Sequence, residues 1–166
     1  MQVIIAYMLV LIAVGMDVRN MRISNRLILV GLGIAFIQRL YCEGIWGVFT
    51  GMFLITFPVV LLYLLFLAGA LGAGDIKLFS LIGGFVNFKE LMWCIVYAFL
   101  FAAVFSLVKM LYYRIFFSSI RNAAHYIERM LMGVYSAYIP LEEKKNRIHF
   151  SVAVFFGFAL SMYVHR

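Results

Sequence analysis

The sequence predicts an all-α, polytopic membrane protein of about six transmembrane helices plus a cytoplasmic amphipathic helix. Three observations predict it. First, 66% of the 166 residues are hydrophobic and only 13% are charged, against about 25% charged in a soluble domain. Second, the apolar residues form long uninterrupted runs instead of alternating, which suits helices and not a closed barrel. Third, the net charge of +7 is carried by residues that flank those runs. It therefore reads as a topology signal and as attraction to acidic lipid headgroups, with no nucleic acid implied. A chain of this length holds one integral-membrane domain, 1–166.

Residues 1–16 carry no charge. A secretory signal would open on basic residues, so this run reads as a retained helix. Residues 17–26 contain Asp17, Arg19, Arg22 and Arg26, a basic loop expected in the cytoplasm with the N-terminus outside. Ser24-Asn25 supplies a cap for the next helix. That helix, 27–40, reaches about 21 Å, short of the roughly 30 Å hydrocarbon core, so the bilayer should thin around it. Arg39, Cys42 and Glu43 make an outer loop.

Residues 45–70 reach about 39 Å and must tilt or bend. Pro58 removes a backbone hydrogen bond and predicts a kink, and Gly47-x-x-x-Gly51 offers close approach to another helix. Residues 71–77 return the chain to the cytoplasmic face. Residues 78–88 form a second short helix, with Asn87, Lys89 and Glu90 in an outer turn. Residues 91–113 make a full helix ending on Lys109, Tyr112 and Tyr113, an interfacial anchor. In 114–147 apolar residues recur at Phe116, Ile120, Ala124, Ile127, Leu131 and Val134, the spacing of an amphipathic helix on the inner surface, ended by Pro140. Residues 148–164 form the last helix. This segmentation leaves Arg39, Lys89 and Arg166 outside and every other Lys and Arg inside, a strong positive-inside bias.

Only seven Asp and Glu occur. An ionisable residue in a membrane helix costs about 2.5–3.5 kcal/mol at its centre and less near an end, so it usually marks a site. Asp17 and Asp75 each close an apolar run. Asp75 lies in Leu71-Gly72-Ala73-Gly74-Asp75-Ile76-Lys77, where two glycines would let the backbone leave helical geometry. Two close carboxylates in a low dielectric share one proton. One then acts as base on a water while the other, protonated, polarises a carbonyl, which is aspartic-protease chemistry. A structural reading competes, with Asp17 paired to Arg19 or Arg22 and Asp75 to Lys77. A rival function is a non-enzymatic transporter subunit or assembly partner with an Asp-lined ion path.

The remaining candidates read as structural. His125 and His149 are lone and interfacial, and Ser118-Ser119 has no nearby base. Cys42 and Cys94 stand far apart, in no metal-ligand spacing, and read as buried free thiols, with a disulfide left open. No metal and no cofactor are expected.

These motifs resemble a family. Gly72-Ala73-Gly74-Asp75, followed by Lys77, is similar to the Gly-x-Gly-Asp motif of the GxGD membrane aspartic proteases, specifically the bacterial type IV prepilin peptidases. Asp17, then Arg19 and Arg22, then Ile23-Ser24-Asn25 resembles that family's first catalytic Asp, basic stretch and Ile-Pro-Asn, with Ser24 in place of proline. Arg147-Ile148-His149-Phe150 corresponds to a proline-containing motif that opens the last helix, with His149 in place of proline. The resemblance covers nearly the whole chain. It implies that Asp17 and Asp75 are catalytic, supported by Gly72, Gly74, Lys77 and Asn25, although the residues alone favour Asn25 as a helix cap. It implies a multi-pass endopeptidase of the bacterial inner membrane, working without cofactor. The substrate would be a single-span prepilin, cut after a glycine on the cytoplasmic side to remove its basic leader. The chain is similar to the short, peptidase-only form of tight-adherence (Flp-type) pili, so neither a soluble domain nor a methyltransferase domain is expected. Oligomeric state is left open.

Overall fold

The computed structural model describes residues 2–20, 23–112 and 150–165. The amphipathic helix predicted over 114–147, with Pro140, and the motif residues Arg147 and His149 lie outside the described residues. All described elements are helical: α1 Gln2–Asn20, α2 Asn25–Leu67, α3 Ala73–Phe85, α4 Phe88–Tyr112 and α5 Phe150–His165. Among the described residues three helices are long and apolar enough to cross a membrane, with spans Val3–Asn20, Asn25–Leu67 and Phe88–Lys109. Among the described residues the protein is all-helical, and its apolar helices mark a membrane protein. The chain divides into two compact units. One holds α1, α2, α3, α4 as far as Phe101, and α5. The other, Ala102–Ile148, contributes only the last turns of α4 to the described residues.

α1 forms because nothing in its apolar run interrupts a helix, and it continues past residue 16, so that Asp17 is helical instead of opening a loop. Ala6, Leu9, Val10 and Ala13 recur at helical spacing and are buried, while Ile4, Met8, Leu11 and Ile12 face outward. Both faces are apolar because the outer one meets lipid instead of water.

α2 holds both helices predicted over 27–40 and 45–70 and corrects two expectations. The predicted outer loop at Arg39–Glu43 is helical. Within α2 the residue with non-helical backbone is Gly44, at φ 67° and ψ −155°, so the break between the two predicted helices falls there, while Pro58 lies inside the second arm. Glycine enters this left-handed region without the steric cost other residues meet. Residues on either side of Gly44 then meet each other: a Cβ on Gly51 would lie 2.7 Å from Arg39 Cδ, and one on Gly47 2.4 Å from Glu43 Cβ. Gly47 and Gly51 therefore make room for the first arm, the close approach expected of them. The first arm, 25–43, reaches about 28 Å and nearly matches the hydrocarbon thickness, so the thinning expected around 27–40 does not follow.

Arg39, expected in a solvated loop, is buried. Its Nε donates to Gly84 O and its Nη2 to Val86 O, each at 2.7 Å, and its Nη1 to Glu43 Oε2 at 3.1 Å. The cause is the end of α3. The last carbonyls of a helix have no partner within it and carry the negative end of its dipole, so a cation aimed at them is doubly favoured.

α3 is the short central helix. Leu78, Phe79, Leu81 and Ile82 are fully buried, and α3 packs on α1, α2 and α5. Gly74 lies beside Ile23 and Gly84 beside Ala35, so α3 runs alongside the first arm of α2 in the same direction. A Cβ on Gly83 would come 2.3 Å from Leu54 O of the second arm. Small residues let helices approach this closely where no hydrophobic force between helices acts in lipid. The turn that leads into α3 uses Gly69 at φ 71°.

α4 starts at Phe88, so Lys89 and Glu90 belong to its first turn, where Glu90 Oε2 accepts from the Asn87 N–H at 2.9 Å. α5 packs on α1 through Tyr7 and Phe158, ring centroids 4.6 Å apart. It meets α4 at Gly157, where a Cβ would come 2.5 Å from Ala98 N. Ser161 Oγ of α5 donates to Glu90 O at 2.7 Å.

Candidate active site

Four helix termini meet at one end of this unit, and each carries a polar residue there. The last turn of α1 brings Asp17. The start of α2 brings Asn25, the first turn of α3 brings Asp75 and Lys77, and the first turn of α5 brings Ser151. The apolar cores of the helices force this arrangement, because a polar side chain can reach water or the headgroups only at a terminus.

Asp75 sits in the first turn of α3 and not in an irregular turn. Gly72, the residue that caps the helix, has φ −81°, and Gly74 is already helical. The expected departure from helical geometry occurs at Gly72, whose ψ of 151° is extended, and not at Gly74; the left-handed residue of this connection is Gly69. What Gly72 supplies is its N–H, which donates to Asp75 Oδ2 at 3.2 Å. The third residue of a helix often reaches back in this way to satisfy an orphan donor. Gly74 lies against the Ile23 side chain, with a Cβ there falling 3.6 Å from its nearest atom.

Asp75 precedes the apolar segment 78–88 and lies in none of the three spans. Burial pushes its carboxyl up to about 6; the Gly72 N–H opposes that rise, and the nearby Asp17 carboxylate adds to it. The two acids, 58 positions apart in sequence (75 minus 17), are thus close enough for one charge to act on the other.

Lys77, exposed, donates from Nζ to Asn25 Oδ1 at 2.8 Å and ties the start of α3 to the start of α2. This corrects the cap assignment. Ser24 is the residue that caps α2, its hydroxyl accepting from the Arg26 N–H at 3.3 Å, while Asn25 receives Lys77. The ammonium that a purely structural reading would assign to Asp75 is engaged by Asn25. Of the two Arg residues offered to Asp17, Arg22 lies outside the described residues.

One site residue escaped the sequence reading. Ser151 is fully buried, and its Oγ donates to Asp17 Oδ2 at 2.5 Å. Its only signal was position, directly after the Arg147–Phe150 stretch read as the motif of the last helix. Among the described residues no group of three or more His, Cys, Asp or Glu could hold a metal ion. Both cysteines are free; Cys94 is buried, but Cys42 is exposed, against the expectation that both are buried.

A family model described as the type IV leader peptidase family matches residues 4–107, which include both acids and more than half of the chain. The chain belongs to the type IV leader peptidase family. The resemblance read from the two Asp motifs is therefore to the right family, and family membership makes this membrane protein a peptidase. The matched residues end before α5, so Ser151 is not among them. Among curated proteins and among solved structures, no match was found.

Proposed function

We propose that this leader peptidase is an aspartic endopeptidase in which Asp17 and Asp75 activate water to remove the basic leader of a type IV or Flp-like prepilin. The observation that carries the reading is the convergence of the two acids at one end of the unit, close enough for Asp17 to act on the Asp75 carboxyl. The unlike environments of the two acids separate their roles. Asp75, whose carboxyl burial pushes up, takes the proton-donating role in this reading, and Asp17 the base role. Asp17 takes a proton from water as the oxygen attacks the scissile carbonyl carbon, and Asp75 gives its proton to the carbonyl oxygen. In the breakdown step Asp17 returns its proton to the leaving nitrogen, and Asp75 recovers one from a hydroxyl of the tetrahedral carbon. The C–N bond breaks, and both acids end as they began.

Gly72 supports the site by its N–H on Asp75. Gly74 lies in the first turn of α3 against Ile23. Lys77 and Asn25 fix the start of α3 against α2. A site at helix ends reaches only peptide bonds held at the membrane boundary. A single-span precursor with a short basic leader and an apolar helix presents such a bond, and a glycine before the helix leaves it extended and accessible. The positive-inside bias of the sequence supports a cytoplasmic position for this end of the bundle, in a bacterial inner membrane.

The test is cleavage of a co-expressed Flp-type prepilin, read by mass spectrometry of the mature N-terminus. Asp17→Asn and Asp75→Asn should each abolish the cut while the protein stays inserted, since an amide keeps the size of the side chain but cannot cycle a proton. Near wild-type turnover in either variant, or a cut inside the apolar helix, refutes the assignment.

A further inference from the structure

The hydroxyl of Ser151 has no role in the reaction as written, yet it is spent on one of the two acids. Two serines of α5 are fully buried, and they make different bonds. Ser161 donates to a backbone carbonyl, Glu90 O, at 2.7 Å, and so serves helix packing. Ser151 donates to the side chain of Asp17 at 2.5 Å, from a helix 134 residues away in sequence. Short O–H to carboxylate bonds of this length are the charge-assisted kind, stronger than bonds between neutral groups and more demanding in geometry.

We propose that Ser151 is a positioning residue for Asp17, fixing the carboxylate in the orientation in which it takes a proton from water. The inference rests on the dyad reading above and deepens it. A carboxylate on the last turn of a helix rotates about two side-chain bonds, and a base that must meet a water within hydrogen-bond reach loses rate when it rotates away. The hydroxyl removes that freedom. The bond engages Oδ2, and Oδ1 is the oxygen that meets the water. Ser151 is itself fully buried, so in this proposal it acts on the reaction through Asp17.

The experiment compares Ser151→Ala with Ser161→Ala in the full-length enzyme in lipid nanodiscs. The probe is a peptide with a basic leader, a glycine and the following apolar segment. Both variants remove one fully buried hydroxyl from the same helix, so their effects on folding are matched, and melting temperature is recorded alongside kinetics. Ser151→Ala should lower kcat by about tenfold or more, the loss expected for one charge-assisted bond. KM should stay within about twofold, because no binding contact is touched. Ser161→Ala should leave kcat near wild type. Unchanged kcat in Ser151→Ala overturns the proposal. So does an equal fall in kcat in both variants, which would make the hydroxyl one more packing group. Asp17→Asn and Asp75→Asn are run beside them. If those retain activity, the dyad reading itself falls; if they are inactive and Ser151→Ala is not impaired, the positioning role alone falls.

Discussion

Replacing Arg39 by Met removes the charge and the donors while keeping an unbranched chain in the same space. Two carbonyls lose their partners, Gly84 O and Val86 O, each held at 2.7 Å and buried. Each orphaned buried acceptor costs about 1–3 kcal/mol. The third bond, to Glu43, weighs little, since that side chain is 42% exposed and an exposed pair is worth about 0–1 kcal/mol. Against the loss stands the relief of no longer burying a cation, which keeps the net at about 3–5 kcal/mol, the usual cost of breaking a buried charged cluster. For a chain of this size that is a fall in melting temperature of about 10 °C. Arg39→Lys should recover only part of it, because an ammonium is a compact point charge and cannot reproduce the guanidinium fork. The assay follows labelling of Cys94, which is fully buried, during heating in a Cys42→Ser background that removes the exposed thiol. If Arg39→Met exposes Cys94 within about 2 °C of the parent, the two carbonyls find other partners and the argument is wrong.

Gly83→Ala should lower both the inserted yield and the melting temperature, by an overpacking cost of about 1–3 kcal/mol or more, because its Cβ would fall 2.3 Å from Leu54 O, a backbone atom. Gly33→Ala, with nothing within 4 Å, should leave both unchanged or improve them slightly; similar melting of the two variants would contradict the packing described at Gly83. For Asp75, a carboxyl raised from 3.8 to about 6 binds its proton more tightly in the folded state, so its contribution to stability is full below about pH 4 and is lost as pH rises through about 6. Asp75→Asn, uncharged throughout, should therefore melt above the parent at about pH 8 and no higher at about pH 4; equal melting at the higher pH would refute it. A cysteine placed at Arg121 should react only from the cytoplasm and one at Glu43 only from outside, and labelling of the former in intact cells would reverse the topology.

The sequence by itself determined the class, the apolar segments and the candidate acids. Those properties are written in contiguous residues. A run such as 2–16 has no alternative to a helix in lipid, and Gly72-Ala73-Gly74-Asp75 is read without knowing what it touches. Local reading stopped where the deciding partner lies elsewhere in the chain. A break between 27–40 and 45–70 was legible, but not that Gly44 alone makes it, so that Arg39 stays helical and fits against Gly51. Arg39 looked like a loop cation until the end of α3 supplied two unpaired carbonyls 45 and 47 residues away. Asn25 resembled a cap until Lys77 reached it. Ser151 could not be singled out by any motif that ends before it. Composition also hides the inner face of each helix, since in a bilayer both faces are apolar and periodicity no longer separates core from surface. Only the tertiary structure shows which face packs, and with it which hydroxyl meets Asp17.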